Sequence, residues 1–177
     1  MIAKGDVMFD TQSSSDFNYC IFADIVKGKD TFRIYNVHLQ SIRLQEGNYS
    51  TERIGNQRVP SKSTILKVIK KLRLAYQKRA DQARRVVAHA SNSPYPSVIC
   101  GDFNDTPMSY CYNQFNRKYI DAFRNSAWGI GSTYIGRLPA GRIDYIFHTP
   151  TLNSSEFQVH SEKLSDHRAI SCKIEKL

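Results

Sequence analysis

The sequence predicts an α/β fold, one mostly apolar sheet accompanied by a single long basic helix. Three observations carry this expectation. β-branched and aromatic runs recur over strand-length windows, one extended stretch between them has helical periodicity, and the composition is ordinary for a globular chain: 41% hydrophobic and 11% aromatic over 177 residues. That length leaves room for a real core. With no internal repeat, low-complexity tract or linker, residues 1–177 are expected to form one α/β unit.

In chain order, "NYCIFADIV" and "TFRIYNVHL" read as strands, and the turn-like "KGKD" (Lys27 to Asp30) between them marks a hairpin. After His38 comes a polar stretch of about 20 residues, "QEGNYSTERIGNQRVPSKS" included, longer than most connections and expected to be a functional or poorly ordered loop. From Thr64 to Ala90, apolar residues at Ile65, Ile69, Leu72, Tyr76, Ala80, Ala83, Val87 and Ala90 keep helical spacing, with Ser61 or Ser63 available as a cap. Pro94 and Pro96 close the helix. "SVIC" (Ser97 to Cys100) is apolar after its first residue, the pattern of a buried central strand. Short helical or irregular pieces are expected over Met108 to Asn125. "RIDYIFH" alternates as a strand, and "EFQVH" and "AISCKIE" suggest two more.

The net charge of +9 is unevenly placed. Nine Lys/Arg against the single Asp81 between Lys62 and Arg85 give that window +8, nearly all the excess. Such a balance favours polyanionic partners: nucleic acid, phospholipid headgroups or phosphorylated small molecules. The alternative is a solvated outer face of a layer helix. Cys20, Cys100, Cys111 and Cys172 lack C-x-x-C spacing and mostly neighbour apolar runs, so they are expected to be structural thiols. No apolar run reaches transmembrane length, and Met1 to Asp10 has no charged leader followed by an apolar stretch. Localisation stays open, with the cytoplasm favoured.

Polar residues gather where strands end. Asn36 and His38 share a strand face in "YNVH", "GDFND" follows the central strand directly, Asp144 lies within "RIDY", and "SDH" precedes the last strand. Each cluster alone has a bland reading: a solvated His, a Gly-Asp turn, a salt bridge from Asp144 to Arg142. Together they contain the parts for metal-assisted phosphoryl chemistry, with carboxylates for a hard cation, a His, and an Asp able to orient it.

"NVHL", "GDFNDTP", "RIDYIF" and "SDHRAI", in that order, resemble the later motifs of the endonuclease/exonuclease/phosphatase superfamily, the DNase I-like metal-dependent phosphoesterases. The resemblance implies a four-layer αββα sandwich of which this chain supplies mainly the C-terminal sheet-plus-helix half. It implies that Asp102 orients or deprotonates the attacking water and that Asn104 helps hold phosphate oxygens or the nucleophile. His167 would contact the phosphate and stabilise the transition state or transfer a proton, with Asp144 fixing its tautomer. His38 would be a second phosphate-contacting group. Asp166 would serve the divalent metal, Mg²⁺ or Mn²⁺, together with an upstream Glu and Asn that are absent. Asp105 reads better as a turn carboxylate, Tyr134 as core and Arg142 as a salt bridge.

The family's first half is missing ahead of "NVH", and Gln45-Glu46 lies after the His strand, so it is read as solvated loop. The expectations are therefore an incomplete domain, weak or absent hydrolysis by this chain alone, and an uncovered inner sheet face prone to self-association. The expected partner is a phosphate-ester substrate, nucleic acid or phospholipid among the candidates. A non-catalytic basic binding module is the rival, which Asp102, Asn104, Asp144, Asp166 and His167 together disfavour.

Overall fold

The computed structural model describes residues 2–9, 18–42, 51–54, 57–136 and 141–177. Strands β1 (Ile2–Phe9), β2 (Asn18–Lys27) and β3 (Asp30–His38) form an antiparallel meander. The hairpin expected between β2 and β3 is present, and Gly28 turns it with φ of +63°, a conformation that suits glycine. β1 had no counterpart in the sequence reading.

The polar stretch after His38, expected as one loop, instead holds a second hairpin of β4 (Thr51–Ile54) and β5 (Gln57–Pro60). Arg53 pairs with Arg58 and Thr51 with Pro60 in this ladder, so polar composition concealed strands that alternate too weakly to be read. Gln45 and Glu46 lie outside the described residues.

Helix α1 (Lys62–Ser91) follows, and Ser61 caps it by accepting from the Thr64 amide at 3.2 Å. The helix is the crossover that parallel pairing demands, because β6 (Ser97–Asp102) lies parallel to β3. β8 (Asp144–His148) pairs antiparallel with β6, and the short β7 (Ile120–Asp121) closes the edge, giving the order β1-β2-β3-β6-β8-β7. Helices α2 (Tyr110–Asn116) and α3 (Ala122–Ser126) account for the short pieces expected there. β9 (Leu152–Val159) and β10 (Ile170–Lys176) form a separate two-stranded sheet.

The two-residue period of β3, β6 and β8 sorts their side chains into two layers. Tyr35, Val37, Ile99, Tyr145 and Phe147 join the cluster that packs on Ala83, Val86, Val87 and Ala90 of α1, with Phe103 and Phe115 wholly buried among them. Burying each such side chain contributes about 1.5–3 kcal/mol. On the opposite face Ile34, Val98, Cys100 and Ile146 pack with Val159, Ile170, Cys172 and Ile174 from β9 and β10, and with Phe123 of α3. This cover is partial, and Ile21 on the same face of β2 stays 45% exposed. All four cysteines are free, and burial raises the pKa of each thiol, as structural thiols require. Among the described residues no helix is long and apolar enough to cross a membrane.

Candidate active site

Register places the candidate residues side by side. His38 on β3 is the cross-strand partner of Asp102 on β6, and Asp102 is the partner of Asp144 on β8. Three adjacent strands therefore present one row of polar groups at the same sheet edge. The row lies on the face that carries Ile34, Val98 and Ile146 further down, where β9 and β10 give out.

The loop after β6 is held by features its sequence demands. Gly101 has φ of +131°, and a Cβ there would collide with the Val37 carbonyl, so no other residue fits. Asn104 sits at φ +52°, its amide donating to Asp102 Oδ1 at 2.7 Å and its Nδ2 to Asp102 Oδ2 at 2.9 Å and the Leu39 carbonyl at 3.0 Å. Asn tolerates this left-handed conformation better than most residues. Asn104 thus ties the ends of β3 and β6 together while aiming the Asp102 carboxylate. Asp105 serves structure, in keeping with a turn carboxylate: it accepts from the Thr106 amide at 3.1 Å and from Arg79 Nε of α1 at 3.2 Å.

His167 reaches the row from the far end of the chain. Its Nδ1 lies 2.9 Å from Asp144 Oδ2, which leaves Nε2 to face a ligand. Its backbone bridges Tyr134, the Arg168 amide donates to the Thr133 carbonyl at 2.7 Å, and the Tyr134 ring meets the imidazole edge-on with centroids 5.2 Å apart. Tyr134 therefore packs against the site instead of belonging to a distant core. His38 Nε2 is 3.7 Å from Asp102 Oδ2 on a side chain 67% exposed, open to an incoming anion.

The structure brings His38, Asp102, Asn104, Asp144 and His167 together. Asp166 is exposed, and the residues whose ligand atoms lie within 4.8 Å of one another are Asp102, Asp144 and His167. The salt bridge considered between Asp144 and Arg142 is absent. Residue 142 precedes β8, and its guanidinium turns away to Asp121 at 2.8 Å, leaving Asp144 to His167.

Sequence reasoning missed Thr133. It is fully buried, and its Oγ1 accepts from the Ile143 and Asp144 amides, both at 3.1 Å, which fixes the strand end carrying Asp144. Only its place in "GST", ten residues before "RIDY", could have flagged it. Thr133→Val strands both amides, so the folded state should lose about 2 kcal/mol in urea denaturation.

Electrostatics divides the two functional groups. Burial raises the Asp102 pKa, the Asn104 amide opposes this, and the nearby Asp144 carboxylate raises it further. For His167 burial works downward, but the hydrogen bond and charge of Asp144, with Asp102 and Asp166, outweigh it and raise the imidazole pKa. A cleft of about 540 Å³ opens beside Asp144 and His167, bounded by Gly101, Leu164 and Arg168.

A family model for the Endonuclease/Exonuclease/phosphatase family matches residues 35–167. The chain belongs to that family. No curated protein matches it. Among solved structures, an endonuclease/exonuclease/phosphatase from Bacteroides vulgatus superposes with a TM-score of 0.66 at 18% identity, covering 100% of this chain and 66% of that one. D. rerio TDP2 complexed with single strand DNA product gives 0.64 at 15% identity, over 98% of this chain and 67% of that one. A mannosyl-6-phosphatase of Bacteroides thetaiotaomicron gives 0.60 at 14%, over 97% and 67%. The chain thus spans about two thirds of the length of these structures, and at such identity the likeness establishes the DNase I-like α/β fold.

Proposed function

We propose that this family member is a divalent-metal-dependent hydrolase of phosphoester bonds whose reacting groups are His167 and Asp102. The observation that carries the reading is the row His38, Asp102, Asp144 with His167 held 2.9 Å from Asp144. The Asp102 carboxylate orients the attacking water by accepting its proton. His167, protonated and held in one orientation by Asp144, donates from Nε2 to the phosphoryl or leaving oxygen as negative charge builds there. His38 and Asn104 contact the non-bridging oxygens and limit the geometries from which water attacks in line.

The donor set suits a hard cation. Asp102 and Asp166 offer carboxylate oxygens, and Mg²⁺ takes one or two of these with water and substrate phosphate completing its shell. Such an ion supplies Lewis-acid stabilisation of the phosphoryl oxygens. Asp144 is committed to the imidazole, so few carboxylates remain for the ion and hydrolysis by this chain is slow. Phosphodiesters, nucleic acid among them, are the first substrates to test, since TDP2 was solved with single strand DNA product.

The experiment is hydrolysis of bis(p-nitrophenyl) phosphate, plasmid DNA, RNA and a sphingomyelin analogue with Mg²⁺ or Mn²⁺. Slow turnover of at least one substrate is expected, abolished by EDTA and restored by excess metal. Turnover that survives EDTA overturns the metal dependence, and no turnover above a His167→Ala control overturns the enzymatic reading.

A further inference from the structure

The apolar stripe of α1 runs off the sheet it packs on. Gln82 accepts from the Gln40 amide at 2.9 Å, and Arg79 donates to the Gln40 carbonyl at 3.0 Å and to Asp105 at 3.2 Å. Gln40 follows β3 and Asp105 follows β6, so α1 at residues 79–82 is level with the edge that carries His38 and Asp102. Towards its C terminus the helix lies along the sheet. Towards its N terminus, from Lys78 back to Lys62, it continues beyond that edge as an arm of roughly 25 Å at 1.5 Å per residue.

The arm keeps the helical register of the buried face. Ala83, Val87 and Ala90 pack on the sheet, and the same stripe continues through Tyr76, Leu72, Ile69 and Ile65. With no sheet beneath them, Tyr76, Ile69 and Ile65 are 50%, 54% and 47% exposed, and Leu66 beside them is 67% exposed. Lys62, Lys67, Lys70, Lys71, Arg73 and Lys78 are all exposed on the arm, which holds no Asp or Glu.

We propose that this arm, Lys62 to Lys78, is an interfacial helix that docks the protein on an anionic phospholipid surface, its stripe of Ile65, Ile69, Leu72 and Tyr76 entering the headgroup region. A polar helix with one apolar stripe and an all-cationic remainder is the pattern that lies in a bilayer interface. Lys62 and Arg73 flank the stripe and the remaining lysines lie within about one Debye length of the lipid, since a helix is only about 10 Å across. A polyanion such as nucleic acid engages the cations alone and gives half-exposed isoleucines nothing to bury against. Because the stripe faces the same way as the helix side that covers the sheet, a bilayer seated on it borders the catalytic edge.

Cosedimentation of the full chain with phosphatidylcholine vesicles, and with vesicles in which three lipids in ten are phosphatidylserine, tests this. Preferential binding to the anionic vesicles is expected. Lys67→Gln/Lys70→Gln should weaken it roughly 30-fold, taking about 1 kcal/mol per cation near the surface. Leu66→Gln/Ile69→Gln leaves the charge unchanged and should weaken it on the order of tenfold. A second readout needs no loss of binding: Leu66→Trp in a Trp128→Phe background, which makes the introduced indole the sole one, should shift its emission to the blue on anionic vesicles. The proposal is overturned if wild type sediments equally with both vesicles, if the Gln pair at 66 and 69 binds as wild type does, or if the emission of the Leu66→Trp variant stays put. Binding that depends on the lysines and not on the aliphatic residues would point to a nucleic acid contact in its place.

Discussion

His167→Ala lowers phosphodiester hydrolysis by about 10²–10³-fold, the range in which one general acid or one well-aimed donor contributes. The imidazole is 28% exposed at the side chain and bonded through Nδ1, so its removal costs little packing and the melting temperature should move by a few degrees at most. Asp144→Asn tests the same pair from the other side. The substituted amide presents a donor or a weaker acceptor to Nδ1, which disturbs the tautomer and removes the charge that holds the proton.

The pH dependence follows from the two shifted groups. Activity needs Asp102 ionised and His167 protonated, so the profile is bell-shaped. Asp102 titrates above the ordinary Asp range, which places the acidic limb higher than an exposed carboxylate would. His167 titrates above about 6.5, the usual imidazole value, so the alkaline limb is also displaced upward. Asp144→Asn should bring the alkaline limb down. Stability shares a sign for both groups. Each binds its proton more tightly when folded, so the contribution of each is greatest below its unfolded pKa and is lost as pH rises through its folded value. An alkaline limb that stays fixed in Asp144→Asn would sink the assignment of His167 as the proton donor.

How much of this was legible in the sequence depended on whether the cause was local. The β2–β3 hairpin, α1 and its Ser61 cap, and central strand β6 were readable because period and turn chemistry act over a few residues. The site residues were readable as a set because the motifs preserve what geometry requires: Gly101 for close approach to β3 and Asn104 for the left-handed turn. β1 and the β4–β5 hairpin escaped because their compositions hide the alternation. Non-local partners escaped for a different reason. Whether Arg142 would face Asp144 or Asp121 depended on β8 beginning at residue 144, a boundary that no pattern in "GRIDY" marks. Thr133 escaped in the same way, since its two amide partners lie ten and eleven residues on. Glu156, at φ +55°, breaks β9 at the irregularity opposite Ser171 and Lys173, which explains why only the later part of that strand looked regular.

The largest stability loss should come from Arg142→Met. Arg142 and Asp121 form a two-point contact, Nη1 to Oδ1 at 2.9 Å and Nη2 to Oδ2 at 2.8 Å, with side chains only 4% and 1% exposed. The guanidinium also lies 4.5 Å from the Phe123 ring centre and 4.7 Å from that of Tyr145. Removing it leaves Asp121 with the Tyr112 hydroxyl at 2.8 Å and the Phe123 amide at 3.0 Å, but no cation in a site water cannot reach. Breaking one half of such a pair costs about 3–5 kcal/mol, whereas replacing both halves can be nearly neutral. Arg142→Met/Asp121→Asn should therefore lose less than Arg142→Met alone, read as urea midpoints at constant m. Activity per folded molecule separates this from a role at the substrate. The Asp144 amide is held by Thr133, not by Arg142, so the single variant should keep its rate within a few-fold at low temperature. A rate collapse with stability intact would instead place the guanidinium at the phosphate, which its 2.8 Å contact to Asp121 argues against.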